Sequence, residues 1–429
     1  MPIMGANRQL QRTLPDSAKV RGESTATLSF PCLPLRNAMA FPSLKRLLVC
    51  ALALFIVSMA WLASLLLSSL RSHGVCAFTP VVGKATVVGN VADPAINRDS
   101  CGSTRIGNRA LWTCRDSQPY DSNGVPTLPI WSSSASWSNF NADGTPALQQ
   151  YGGGGSRNPY FPYTASECNG NSAGACADGS RYAIWPDSPP LVTSTVNNVV
   201  TAYTWIRKAH IKPDLSTDDP DPATSLYKLT YNTGTSDRNV LPTVTLVNEN
   251  FWASGSIPYG VYGNVIKDGI AYLFGQPSNG VVSLAKVPVG SIEDRSKYQY
   301  WVGGAWVSSI PRIGAANISI PNVSAGGQGT YYFSTYWNKW VWIGQAGLSV
   351  SADFFITTAD SITGPWANPV NFYSGQTGSY FLGAYSLQAH PGLNPSGTAT
   401  NEIYISYTKN DVFQNTSKYS TPLIHIQWT

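Results

Sequence analysis

The chain is short of charge. Only 12% of its 429 residues are Asp, Glu, Lys or Arg, against about 25% in an average soluble domain. Solubility therefore rests on Ser, Thr, Asn, Gly and Tyr, a habit of extracellular all-β proteins. Histidine is scarcer still: the four present, His73, His210, His390 and His425, form no pair at metal-ligand spacing, so neither a metal nor a cofactor is expected. No Gly-rich phosphate cradle occurs, and GGGGS at 152–156 is a flexible loop rather than a nucleophile elbow. Basic excess is also missing where it would matter. Residues 1–77 hold eight of the 28 basic and two of the 23 acidic residues, leaving 20 basic against 21 acidic in 78–429. The formal +5 thus belongs to the N-terminal segment, and nucleic acid is not an expected partner.

One long apolar run is present. LLVCALALFIVSMAWLASLLLSSL, residues 47–70, carries no charge and follows Lys45 and Arg46. It is long enough to span a bilayer, and its basic flank predicts export of the chain beyond it. Two readings stay open. Either the run is a transmembrane signal anchor of a type II membrane protein, with residues 1–46 cytoplasmic, or it is a signal peptide cut after Ala77. In the second case part of residues 1–58 is an extension upstream of a second start at Met59. Cleavage removes Cys76 and leaves Cys101, Cys114, Cys168 and Cys176, an even set that pairs naturally as 101–114 and 168–176. Three sequons, at Asn317, Asn322 and Asn415, agree with the secretory route. The membrane is thus a partner only through an uncleaved helix, and 78–429 reads as a secreted or outward-facing monomer.

Residues 78–429 alternate short β-rich runs with Gly, Pro, Asn and Asp. ALWTC, YAIW, VVTAYTWI, IAYLFG, TYYFSTYW, KWVWIG, DFFITT and EIYISYT read as strands. GNRALWTCRDS (107–117) and GSRYAIWPDS (179–188) share Gly-x-Arg, a strand ending in Trp, and Asp-Ser. Comparable runs at KDGIAYLFG, GTYYFSTYW and NEIYISYT bring the number to five. Five units of roughly 70 residues each predict an all-β, five-bladed β-propeller. On this pattern Asp116 and Asp187 occupy equivalent places on adjacent blades.

A propeller gathers distant residues at one end of its axis, and glycoside hydrolysis needs two carboxyl groups flanking one bond. Most acids have ordinary explanations: Asp214, Asp218, Asp219 and Asp221 sit in a polar loop, and Asp268 makes a hairpin turn. Four remain: Asp99, in VADPAINRDSCGS at the start of the first inner strand; Asp116 and Asp187, each after a Trp strand; and Glu249, in LVNENFWASGSIPYG. Arg98, Trp112, Trp185, Trp252 and Tyr262 lie near them in sequence and are candidate sugar contacts, although most of the 14 Trp are expected to pack blades together.

ADP followed by NRD, then a strand with Trp and Asp, resembles the first blade of five-bladed propeller glycosidases, and most of all the DUF4185 family. FWASGSIPYGVYGNVIKDGIAYLFG resembles that family's third blade. YQYWVGGAW, SADFFITTADSITGPW and AHPGLNPSGTATNEIYISYT resemble its fourth and fifth. The resemblance implies an arabinanase-like hydrolase with Asp99 as base or nucleophile, Asp116 its partner, Asp187 a tuning group, Glu249 the acid, and His390 lining the pocket. Cys114-Arg115-Asp116 departs from the family's Phe-Gly-Asp. The sequence therefore points to an extracellular hydrolase of a polysaccharide, the alternatives being a lectin-like binding propeller and a cell-surface interaction protein.

Overall fold

Every blade is built from hairpins, and the turns show why. Lys267-Asp268-Gly269-Ile270 reverses the chain with φ of 53° at Asp268 and 74° at Gly269, and Asn197-Asn198 does the same with 50° and 65°. Two successive left-handed residues give the turn whose twist matches that of paired strands. The computed structural model describes residues 78–153, 159–168, 174–347 and 349–429. The apolar run 47–70 and Cys76, with the anchor and cleavage expectations attached to them, lie outside the described residues. Among the described residues no helix is long and apolar enough to cross a membrane.

The strands form five antiparallel blades. Blade 1 is Gly102–Ile106, Arg109–Cys114, Ser134–Phe140 and Pro146–Tyr151. Blade 2 is Leu191–Val196, Val199–Arg207, Thr224–Asn232 and Thr243–Trp252. Blade 3 comprises Gly263–Lys267, Ile270–Gly275, Ser283–Pro288, Gln299–Val302 and Ala305–Val307. Blade 4 runs Gly326–Ser334, Lys339–Ala346, Asp353–Ala359 and Val370–Ser374. Blade 5 has Ala384–Ala389, Glu402–Phe413 and Pro422–Trp428, and its outermost strand is Val82–Asn90 from the other end of the chain. That exchange closes the ring, because the first and last blades are stitched by one sheet. Five blades are as the sequence predicts.

The core divides in the same way, into one apolar cluster per blade interface. Leu111, Trp137 and Tyr227 fill the joint between blades 1 and 2; Trp205, Trp252 and Leu273 that between 2 and 3; Phe274, Tyr331 and Trp342 that between 3 and 4. Phe354, Leu387 and Ile424 join blades 4 and 5. The fifth joint, between 5 and 1, holds the smallest cluster, around Trp112, Leu393 and Tyr404. Much of that joint is polar instead. Gly260 shows how tight the packing is: its φ is +91°, and a methyl group there would sit 2.6 Å from the Trp205 ring. Gly260→Ala is expected to destabilise the domain by about 3 kcal/mol, from strain and overpacking together, read as a lower urea midpoint with an unchanged slope.

The repeat is less regular than the sequence pattern implies. GNRALWTCRDS, KDGIAYLFG and NEIYISYT supply second strands of their blades. GSRYAIWPDS instead precedes blade 2, where Arg181–Ala183 pairs with Ala209–Ile211, and TYYFSTYW belongs to the first strand of blade 4. YQYWVGGAW is the outer hairpin of blade 3, not part of blade 4. First and second strands are both covered on two faces, so both read as apolar runs with aromatic residues, and the motif does not distinguish them.

Candidate active site

The first strands of successive blades line the axis and start at one end of the ring. Asp99 lies just before Gly102, the start of blade 1's inner strand, and Asp187 lies just before Leu191, the start of blade 2's. These two occupy corresponding places. Asp116 follows the second strand of blade 1, so the equivalence of Asp116 and Asp187 does not hold; the two copies of the motif differ in register by one strand.

Local bonds fix Asp99 against Asp116. The Asp99 amide donates to the Asp116 carbonyl and the Arg115 amide donates to the Asp99 carbonyl, each at 3.0 Å. One step further in, the Cys101–Cys114 disulfide ties the same two segments together. The second expected pair, Cys168–Cys176, is also formed.

Two arginines then sort the charges. Arg181 grips Asp116 through both guanidinium arms, at 3.2 and 2.6 Å, and Trp185 donates its indole N–H to the same carboxylate at 2.8 Å. Arg115 pairs with Asp187. Among the described residues Asp99 has no such partner. Its Oδ2 accepts the Tyr385 hydroxyl at 3.0 Å, while Oδ1 is closed off from solvent with nothing bonded to it among the described residues. Burial, aided by the negative charge of Asp116, lifts the Asp99 carboxyl to about 7 against the pull of Arg115 and the Tyr385 and Ser100 hydrogen bonds. Asp99, Arg115, Asp116, Arg181, Trp185, Asp187 and Tyr385 all keep partial exposure.

Glu249 is placed elsewhere. It lies on the outermost strand of blade 2, its side chain 45% exposed, paired with Lys208 at 3.2 Å and accepting from Ser166 at 3.4 Å. Lys208 holds it below the usual carboxylate range. A general acid needs the opposite environment. Its buried neighbour Glu167 accepts the Thr164 amide at 2.6 Å and is raised by burial. It closes the capping box spelled by Thr164-Ala165-Ser166-Glu167, a structural task.

The other expected contacts are interior. Trp112 and Trp252 are closed to solvent and spend their indole N–H groups on Ser138 and the Tyr259 carbonyl. Tyr262 is buried and donates to the Gly327 carbonyl. Arg98 is buried too, bonded at 2.8 Å to Ser136, which donates to Asp93 at 2.8 Å; burial lowers the guanidinium to about 10. His390 is fully buried between Ser103 (2.8 Å) and Ser406 (2.7 Å) and against Trp112. A side chain without solvent access cannot touch a glycan, so these five pack the blades. Of the expected aromatic contacts, Trp185 alone keeps partial exposure.

Burial drops His390 to about 3. The unfolded chain therefore takes up a proton near pH 6.5 that the folded protein refuses until about pH 3, and His390 drains stability as pH falls through that window. His390→Ala is expected to cost about 3 kcal/mol at about pH 8, from the cavity and two stranded hydroxyls, with a smaller loss at about pH 5. Urea melts at the two pH values check it.

Arg115, Arg181 and Tyr385 are not singled out by the sequence. Arg181 stands in the Gly-x-Arg repeat, which is a usable signal. Tyr385, in GAYSLQ, carries none. Among the described residues no group of three or more His, Cys, Asp or Glu side chains could hold a metal ion.

No family model matches the chain and no curated protein matches it. Among solved structures it is similar to a Bacteroides ovatus protein provisionally described as a hydrolase, at 14% identity and a TM-score of 0.52, over 80% of this chain and 87% of that one. The fold is shared. Weaker likenesses, at TM-scores of 0.43 and 0.42, are to an exo-β-1,3-galactanase from Phanerochaete chrysosporium (12% identity, 79% of this chain and 64% of that one) and to the catalytic domain of an α-L-arabinofuranosidase from Coprinopsis cinerea (9%, 81% and 98%).

Proposed function

We propose that the protein is a glycoside hydrolase acting on an extracellular polysaccharide by a two-carboxylate mechanism. The observation that carries this reading is the unequal pairing of three carboxyl groups around Arg115. Asp187 is paired with Arg115 and Asp116 with Arg181, whereas Asp99, beside Asp116, forms no ion pair among the described residues and burial raises its proton affinity. Environments that push neighbouring carboxyl groups apart mark acid and base roles. Asp99 is then the general acid that protonates the leaving glycosidic oxygen. Asp187, anchored by Arg115 at the corresponding place on blade 2, is the carboxylate that acts on the anomeric carbon or on a water beside it. Asp116 raises Asp99's proton affinity, and Arg181 holds Asp116 in place through both guanidinium arms. Trp185, partly exposed and bonded to Asp116, offers a sugar-stacking face. The acid role thus moves from Glu249, whose surroundings favour ionisation, to Asp99.

Two disulfides agree with an oxidising compartment, and an arabinan is the substrate we favour within the class, with the chain placed among the DUF4185 propellers on the resemblance of its blade motifs. The decisive experiment incubates the 78–429 domain with arabinans, xylans and galactans and measures reducing sugar. Release by the native domain and its loss in a folded Asp99→Asn variant is the expected pair of results. Binding to a glycan without release by either protein would falsify the hydrolase reading in favour of a lectin-like one.

A further inference from the structure

Two serines with left-handed backbones meet at the polar joint between blades 5 and 1. Ser100, directly after Asp99, has φ of 50°; Ser386, directly after Tyr385, has φ of 52°. Left-handed backbone is unusual for any residue but Gly, Asn or Asp, and such conformations gather where a site requires them. Here the two residues are bonded to each other, hydroxyl to hydroxyl, at 2.8 Å across the joint. Both are buried.

Each serine is held in place from a different blade. The Ser100 amide donates to Thr408 Oγ1 at 2.7 Å. The Ser386 amide donates to Gln345 Oε1 at 3.1 Å, and its hydroxyl bonds Gln328 Oε1 at 3.2 Å. In the strand Ala384–Ala389 the pairing slips between Tyr385 and Gln388, so Ser386 sits in a bulge. A bulge redirects the side chain beside it. The redirected side chain is Tyr385, whose hydroxyl lands on Asp99 Oδ2 at 3.0 Å.

We propose that Tyr385 is a positioning residue for the Asp99 carboxyl, aimed at it across the seam of the ring by the hydrogen-bonded, left-handed pair Ser100 and Ser386. This deepens the hydrolase reading and rests on Asp99 being its proton carrier. The tyrosine fixes which oxygen of Asp99 is occupied and so orients the carboxyl. It also trims the carboxyl's proton affinity, because a hydroxyl donated to a carboxylate favours the ionised form. The other charged or titratable groups facing Asp99 are Asp116, which opposes its ionisation; Arg115 and Arg181, which favour it; and Tyr419, which lies against Tyr385. None of these is aimed by a strained backbone.

The test reads the Asp99 side-chain carbon by NMR in the domain labelled at aspartate, with the signal assigned by its loss in Asp99→Asn. In Tyr385→Phe the Asp99 midpoint is expected to rise by about one pH unit. Ser386→Gly keeps the backbone freedom but removes the hydroxyl clasp, and a smaller rise in the same direction is expected. A tyrosine that merely packs would change the melting temperature and leave the midpoint in place. An unmoved or lowered midpoint in folded Tyr385→Phe overturns the proposal, and if that variant does not fold, an unmoved midpoint in Ser386→Gly does so. The hydrolase reading is judged separately: a native Asp99 that titrates near the ordinary aspartate value, about 4, removes the acid role, while the shift caused by Tyr385→Phe is read from the same spectra.

Discussion

Asp99→Asn is expected to abolish sugar release and, at the same time, to stabilise the fold above neutral pH. Both effects have one origin. The folded protein holds the Asp99 proton to about pH 7, whereas a free aspartate gives it up near 3.8. Between those limits the folded state binds a proton that the unfolded state has released, so stability falls as pH rises through the window, and the full penalty is present above it. An amide carries no charge to bury beside Asp116 and can still accept from Tyr385. We expect a gain of about 2 kcal/mol at about pH 8 and almost none at about pH 4. Urea unfolding of the two proteins at those pH values measures it. Equal or lower stability of the variant under the alkaline condition would show that Asp99 is an ordinary ionised aspartate.

The Cys101→Ser, Cys114→Ser double variant should show the next largest effect. The bridge joins residues 13 apart in sequence, a loop for which chain-entropy reasoning gives about 3 kcal/mol. Its position adds a second consequence, because the loop holds Asp99 against Asp116. Freed from the bridge, the two segments admit water, the Asp99 midpoint drifts down towards the free-aspartate value, and sugar release falls by about tenfold or more as the carboxyl groups lose their alignment. Removing Cys168–Cys176, which joins residues 8 apart in sequence, is the control: a modest loss of stability with the Asp99 midpoint unchanged. If both variants move that midpoint alike, the effect is general loosening and the first bridge has no special place.

The propeller is legible in the sequence because its grammar is local. Strand runs, hairpin turns and a spacing of roughly 70 residues are properties of contiguous sequence, and they are enough for five blades and both disulfides. The position of Asp99 is legible for the same reason, since it stands before small residues at the start of the first inner strand; its chemical role is not, because that depends on burial and on Asp116. Glu249 misleads through its neighbourhood. Aromatic and Gly-rich sequence after a strand suits a sugar cleft, but in FWASGSIPYG those residues fill the joint between blades 2 and 3, with Trp252 and Tyr259 facing inward. Burial also explains Trp112 and His390, whose polar atoms look available in the sequence and are spent inside the protein. Tyr385 is invisible because nothing in GAYSLQ announces a bulge. Its partner lies 286 residues away, and only closure of the ring brings them together.

That closure has a consequence in time. Val82–Asn90 finds its sheet partner in Pro422–Trp428, and Asp99 waits for Tyr385. During synthesis the earliest part of the domain must leave the ribosome with neither, and blades 1 to 4 can stack while Asp99 still lacks Tyr385. Pairings this distant are slow to form. The last moments of folding are therefore the ones that close the ring, and a chain cut short before Ala384–Ala389 yields most of a propeller in which Asp99 has no Tyr385 to meet.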